Sequence, residues 1–344
     1  MRKLLAHLAL ARLDEALIKA SGGQPRTVRG MTLDARLQFM ENYARERAIP
    51  WEQMTVDIMR RQTQGLSETY GGARVRGVKS QRVYITGRSH SSPATLYLPQ
   101  VRDNSAAMLV YFHFGGGVIG STLNCERLCM MIAKLSGAAV LSVDYRLAPE
   151  HKFPIGLEDA QAAYAWALQN AARYGAPTGK VAVGGDSMGG NFAAVIAQQA
   201  RTQTRVPRPI LQLLIYPAVD LVSETASMHD FADAFPLTED TLAFFLKNYL
   251  PENADLPNDL RLSPGRAQDL SNLPPALIYT AGFDMLLDQG EAYAERLRGA
   301  GVKVTSHRFE TLPHGFIAFP SAAPAAEAAL KHIAKETAAS LKRP

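Results

Sequence analysis

The chain has 344 residues, 47% of them hydrophobic and 20% charged, with a formal net charge of +5. These values describe a folded globular chain of one large or two smaller domains, long enough to bury an ample core without disulfides. They exclude a disordered or low-complexity polymer, and no apolar run reaches the roughly 20 residues of a membrane-spanning helix.

The N-terminal stretch Met1–Ala11 faintly resembles a signal peptide. However, its apolar run is short, His7 interrupts it, and the amphipathic pattern continues to Ile18. An ordinary helix is the preferred reading. Residues 1–90 carry 16 Lys and Arg against 8 Asp and Glu, a surplus of eight, so the remainder is net −3. A basic layer of this kind is read as a solvated face, and no nucleic-acid motif accompanies it. Residues 1–75 read as helices with polar breaks: the first ends at Gly22-Gly23, a second covers Thr32–Tyr43 with Leu33, Leu37, Met40 and Tyr43 at helical spacing, and a third covers Trp51–Gln64.

The pattern then changes. Arg82–Thr86 and Ala94–Leu98 alternate like antiparallel strands, with His90 between them, and Met108–Phe112 is the continuous apolar run of a buried strand. Further strands are expected at Ala139–Val143, Val181–Val183, Leu211–Tyr216, Ala276–Thr280 and Val302–Phe309. Helices are expected at Thr122–Lys134, Leu157–Tyr174, Ser187–Arg201, Leu287–Gly299 and Ala322–Leu341. Such alternation predicts a mostly parallel sheet covered by helices, with ligands beyond the carboxyl ends of its strands. About sixty residues between Tyr216 and Ala276 break the rhythm. They are rich in aromatics from Phe231 to Tyr249, with a helix expected at Glu239–Tyr249, and could pair with the N-terminal helices as a lid. Cys125 and Cys129, the only cysteines, lie one helical turn apart with no metal-site partners nearby; they read as reduced packing residues in a reducing compartment.

The most informative stretch is Lys180–Ala197: a short apolar strand, a tight turn and a helix. The turn holds Gly185-Asp186-Ser187-Met188-Gly189, a G-x-S-x-G pattern. A serine on a sharp strand-to-helix turn projects its hydroxyl clear of the sheet, and the close approach of strand and helix leaves no room for side chains two residues before and after it. The helix N-terminus adds partial positive charge beside the hydroxyl. A serine nucleophile needs a base, an orienting acid and an oxyanion hole. Of the eight histidines, His314 follows the last expected strand, where a loop can reach back to Ser187. Asp284 follows the strand beginning at Ala276 and is the first choice as acid; Asp220 and Asp288 are the alternatives, Asp288 being expected to cap or pair within its own helix. Oxyanion donors are expected from the amide of Met188 and from the glycine-rich loop His113–Ser121 after the third strand.

These motifs together resemble the hormone-sensitive lipase-like carboxylesterases of the α/β-hydrolase fold. The resemblance covers roughly residues 80–320. It rests on Tyr111–Gly120, Asp144–His151, Gly185–Gly190, Asp284–Asp288 and His314–Phe316. It implies Ser187, Asp284 and His314 as a catalytic triad, and Gly115 and Gly116, with Met188, as oxyanion donors. It also implies a helical cap over residues 1–75 with an insertion at about 221–262, on a catalytic domain of residues 76–344. The loop departs from the family pattern of a histidine, three glycines and an aromatic residue. Phe114 stands at the first glycine position and Gly117 at the aromatic, so a shift of the donors onto Gly116 and Gly117 stays open. The missing aromatic is expected to enlarge one wall of the acyl site, unless Phe114 fills that space. Arg146 and Glu150 read as loop-bracing groups.

The expected activity is hydrolysis of short-to-medium acyl esters without metal or cofactor. A lipase, an amide, lactone or aryl-ester hydrolase with the same triad, and a non-catalytic binder on the same fold are the alternatives. The expected setting is cytoplasmic, with a small ester as partner, no nucleic acid, no stable membrane insertion and a possible homodimer.

Overall fold

The structure, a computed structural model, describes residues 7–11, 13–87, 91–202 and 206–342. The expected N-terminal helix therefore falls partly outside the described residues, as does His90. Within them residues 7–10 are helical and α1 spans Asp14–Ala20.

A two-stranded ribbon of β1 (Thr27–Val28) and β2 (Met31–Thr32) follows. Helix α2 covers Ala35–Glu46 and is capped by the Asp34 carboxylate, which accepts from the amides of Arg36 and Leu37. It starts three residues later than expected because Thr32 belongs to β2. Leu33, Leu37 and Met40 face inward, whereas Tyr43 is exposed. Helix α3, Val56–Tyr70, is capped by Thr55.

The alternating segments form one eight-stranded sheet: β3 (Val78–Thr86), β4 (Ser91–Pro99), β5 (Met108–Phe112), β6 (Val140–Val143), β7 (Val181–Asp186), β8 (Gln212–Ile215), β9 (Ala276–Phe283) and β10 (Val304–Pro313). Their spatial order is β3-β4-β6-β5-β7-β8-β9-β10. The β3–β4 and β4–β6 pairs are antiparallel and the others parallel. Strands β5 to β9 are buried along their whole length, because helices cover both faces. Those helices are α4 (Glu126–Ser136), α5 (Ile155–Asn170), α6 (Met188–Thr202), α9 (Leu287–Gly299) and α10 (Pro324–Leu341); the insertion adds α7 (Ala226–Asp230) and α8 (Glu239–Tyr249). Helix α4 begins four residues later than expected because Ser121 and Thr122 are held in a turn, their amides donating to Asn124 and Asp144. Cys125 and Cys129 are buried free thiols. Among the described residues no helix is long and apolar enough to cross a membrane.

The basic surplus of the N-terminal segment is not simply a solvated face. Arg26 pairs with Glu41 and Asp233, Arg29 with Asp230 and Asp288, Arg45 with Glu41 and Asp233, and Arg60 with Glu150. Each of these four arginines thus reaches a carboxylate of the net-negative remainder of the chain, and two of them also share Glu41 within the segment itself.

Candidate active site

The strand-to-helix turn after β7 leaves no space beside it. A Cβ on Gly185 would strike the backbone of Gly189, one on Gly189 would strike the Phe112 carbonyl, and one on Gly190 would come within 2.8 Å of Pro217 Cβ. Ser187 itself sits at φ +54°, a left-handed conformation unusual for a residue with a side chain. The turn is pinned from three directions: Ser187 N donates to Ile215 O at 2.9 Å, and Ser187 O accepts from Asn191 N at 3.0 Å and Ala218 N at 3.1 Å.

Strand β9 runs three residues beyond its expected end, so Asp284 stands directly at its tip. Strand β10 extends four residues beyond its expected end, to Pro313, and delivers His314 opposite. His314 Nε2 lies 3.0 Å from Ser187 Oγ, and His314 Nδ1 lies 2.8 Å from Asp284 Oδ2. The other Asp284 oxygen accepts from Leu286 N at 2.8 Å. Asp284 is 1% exposed, so its charge faces the imidazole rather than water.

Neither alternative acid occupies that place. Asp220 closes a turn by accepting from the amides of Val222 and Ser223. Asp288 accepts from Arg29 and from the Ser227 amide; it ties the N-terminal segment and the insertion to α9, rather than pairing within its own helix as expected. The motif around Asp144 braces loops. Arg146 makes a two-pronged pair with Asp159, and Glu150 makes one with Arg60.

Gly115, Gly116 and Gly117 all have positive φ, +118°, +61° and +73°. Among the described residues no acceptor takes the amides of Gly115, Gly116 or Met188; the last belongs to the first turn of α6, whose donors have no partner within the helix. The space expected beside Gly117 is not open. A Cβ there would run into the Tyr249 ring, 2.5 Å from Cδ2. The expected enlargement of the acyl wall is therefore wrong, and it is Tyr249 from α8, not Phe114, that fills the place. Phe114 instead lines a cavity of about 720 Å³ that contains Ser187 and His314. Its other walls come from the N-terminal segment (Trp51, Met59, Leu66) and the insertion (Phe235, Phe245). Of the remaining insertion aromatics, Phe231 packs in the core on Phe283 and Phe244 on Trp51.

One buried group was not singled out in the sequence, although it sits inside the quoted motif. Asp186 is fully buried and accepts from Tyr111 Oη at 3.0 Å and Tyr216 Oη at 3.1 Å. Burial pushes its carboxyl up to about 7, against the lowering pull of the two tyrosines. The Tyr216 ring also packs on His314, centroid to centroid 4.7 Å. An acid closing an otherwise apolar strand was the available signal.

The described parts form an α/β sheet with a tight serine turn, an acid and a histidine at the ends of β7, β9 and β10. A family model described as alpha/beta hydrolase fold matches residues 109–318. The chain belongs to the α/β-hydrolase fold family. Within it, the chain stands among the hormone-sensitive lipase-like carboxylesterases. It is 40% identical over 303 residues to the carboxylic ester hydrolase LipN of Mycobacterium tuberculosis, covering 86% of this chain and 80% of that one. An ethyl acetate hydrolase of Pseudomonas putida is 34% identical over 83% of this chain and 91% of its own. Among solved structures, an ester hydrolase from the metagenome of Lake Arreo, complexed with a bipyridine phosphonate derivative, superposes with a TM-score of 0.80. It has 36% identity and covers 88% of this chain and 96% of that one.

Proposed function

We propose that Ser187, His314 and Asp284 are the nucleophile, base and orienting acid with which this carboxylesterase cleaves esters. The observation that carries the reading is the unbroken chain of two contacts, 3.0 Å and 2.8 Å, from Ser187 Oγ through the imidazole to a buried carboxylate. His314 Nε2 takes the Ser187 proton as Oγ attacks the acyl carbonyl. Asp284 holds Nδ1–H, keeping Nε2 free to accept, and stabilises the imidazolium that forms. The amides of Gly115, Gly116 and Met188 receive the oxyanion; their lack of other acceptors supports that role. The imidazolium then protonates the leaving alcohol. Water, deprotonated by His314, repeats the attack on the acyl-enzyme and releases the acid.

The N-terminal segment, residues 1–75, and the insertion at about 221–262 act together as a cap over the catalytic domain. Both contribute walls to the cavity. A mostly apolar cavity of this size suits short-to-medium acyl chains. Each buried methylene is worth about 0.8 kcal/mol, or nearly fourfold in specificity, until the chain reaches the wall. On p-nitrophenyl esters kcat/KM should rise from acetyl to hexanoyl and fall by lauroyl. A homodimer in the reducing cytoplasm completes the proposal; the two free buried thiols fit that compartment, and sedimentation velocity tests the dimer.

The site is tested with an organophosphonate. One adduct per chain, mapped to Ser187, is expected, and Ser187→Ala should keep the fold and lose several orders of magnitude in turnover. An adduct elsewhere, or an active alanine variant, removes the assignment.

A further inference from the structure

Helix α8 packs directly on the glycines of the loop after β5. A Cβ built on Gly116 would lie 2.5 Å from Phe245 Cγ and 2.7 Å from its Cβ and Cδ2, and the Tyr249 ring closes on Gly117 in the same way. These two α8 residues, one turn apart, therefore bear directly on the loop backbone with no side chain between. Both glycines hold left-handed conformations that other residues rarely adopt. The close approach and the backbone conformation specify the same residue type.

The two rings are anchored differently. Tyr249 is 2% exposed, packs edge-on against Phe153 at 5.8 Å, and its carbonyl accepts from Phe153 N at 2.9 Å. Phe245 is half-buried and lines the cavity that holds Ser187 and His314. The carbonyl side of the loop is tied down separately: Gly117 O accepts from Ala148 N at 2.8 Å, and Val118 O from Arg60 Nε at 3.0 Å. With its carbonyls held from one side and its glycines pressed by α8 from another, the loop has little freedom left. Oxyanion stabilisation depends on donors fixed in place before the charge develops, so what fixes this loop bears on catalysis.

We propose that Phe245 and Tyr249 are positioning residues for the oxyanion loop, so that docking of α8 completes the oxyanion hole. This rests on the assignment of that loop as the oxyanion donor. Phe245 has a second consequence. A substrate chain that packs on it loads the ring that bears on Gly116, so part of the binding energy of a longer chain acts on kcat rather than on KM.

The test compares Phe245→Ala, Tyr249→Ala and Tyr249→Phe with the parent enzyme. It measures kcat and KM for a hexanoyl ester, inhibition by an alkyl trifluoromethyl ketone, and inhibition by 1-hexanol. The ketone forms a hemiketal with Ser187 that carries the oxyanion; hexanol occupies the cavity without one. Both alanine variants should lose about 10- to 100-fold in kcat, less than or equal to the loss of one donor, with KM changed by less than about threefold. The ketone should weaken by the factor lost from kcat/KM while hexanol does not, and Tyr249→Phe should stay within about twofold of the parent. Unchanged kcat, or equal weakening of ketone and hexanol, overturns the proposal, since the rings would then be cavity wall only. If Tyr249→Ala fails to fold, Phe245→Ala at its half-buried site decides alone. If the parent enzyme gives no phosphonate adduct on Ser187, the site assignment falls first and this proposal with it, before any variant is compared.

Discussion

Around Ser187 the chain is held by backbone against backbone. Gly185 and Gly189 touch neighbouring main chain, and the buried ionisable groups there, Asp186, Asp284 and His314, each have named partners. Above it, the N-terminal segment is held by arginine. Arg26, Arg29, Arg45 and Arg60 reach carboxylates at 230, 233, 288 and 150, many of them half-exposed. The first kind of contact tolerates almost no displacement, because a clash rises steeply with distance. The second is softer, because exposed ion pairs contribute little each and are screened by salt. The Ser187, His314 and Asp284 cluster sits on the first, and the N-terminal segment that lines part of the cavity sits on the second.

Two aspartates four residues apart sharpen that comparison most. Asp284→Asn should lower kcat by about 10⁴-fold with the fold intact, as loss of the orienting carboxylate does in a triad. Asp288→Asn should leave kcat within a few-fold, yet lower stability by about 1 kcal/mol by weakening the Arg29 tie and the Ser227 amide bond. Steady-state kinetics beside urea unfolding separates the two; a crippled Asp288→Asn enzyme would break the comparison.

Glu41 is the exception within the arginine layer. It is 3% exposed and is held by Arg26, Arg45 and the Phe235 amide. Arg26→Met should therefore cost about 2 kcal/mol, more than an exposed pair, because it leaves a buried carboxylate with fewer partners. The melting temperature should fall while kcat measured well below it stays unchanged. A stability loss no larger than that of a surface pair would place Glu41 with the soft contacts.

Asp186 carries the pH dependence of the rigid region. Its folded-state carboxyl is raised to about 7 from an ordinary value of 3.8, so the native state binds the proton more tightly than the unfolded chain. The resulting stability is fully present below about pH 4 and is lost as the pH rises toward about 7. Across that window the parent protein should lose stability relative to Asp186→Asn, at no more than about 1.4 kcal/mol per pH unit. Urea unfolding of both proteins at pH 5 and pH 8 checks the sign, and parallel profiles would sink it. The smallest effect is expected at the Arg298–Glu295 pair, whose carboxylate is 73% exposed. Arg298→Ala should change stability by less than about 0.5 kcal/mol.

Much of this was legible before any coordinates. The order of strands and helices, the Ser187 turn, and Asp284 and His314 at later strand ends follow from local pattern. Apolar runs and glycine spacing report on each segment's own backbone, and a triad needs only that its members fall at the same ends of parallel strands in one sheet. Even the charge asymmetry was visible, as +8 in residues 1–90 against −3 in the rest. What it did was not visible, because a count does not say which carboxylate each arginine meets.

The expectations that failed were about space. Gly117 read as an absent side chain and hence as room, but α8 arrives from more than a hundred residues away and puts Tyr249 there. Asp288 read as a group for its own helix, but its partners Arg29 and Ser227 come from two other segments. Asp186 was given no role of its own, because the Tyr111 and Tyr216 hydroxyls that converge on it come from strand β5 and from the end of β8. By itself the sequence determined the α/β-hydrolase frame and where Ser187, Asp284 and His314 stand along it, because short-range stereochemistry and periodic burial set those positions. Only the tertiary structure decided which rings close on the glycine loop after β5, what lines the cavity and which charges meet, because van der Waals contact and ion pairing depend on distances between segments far apart in the chain.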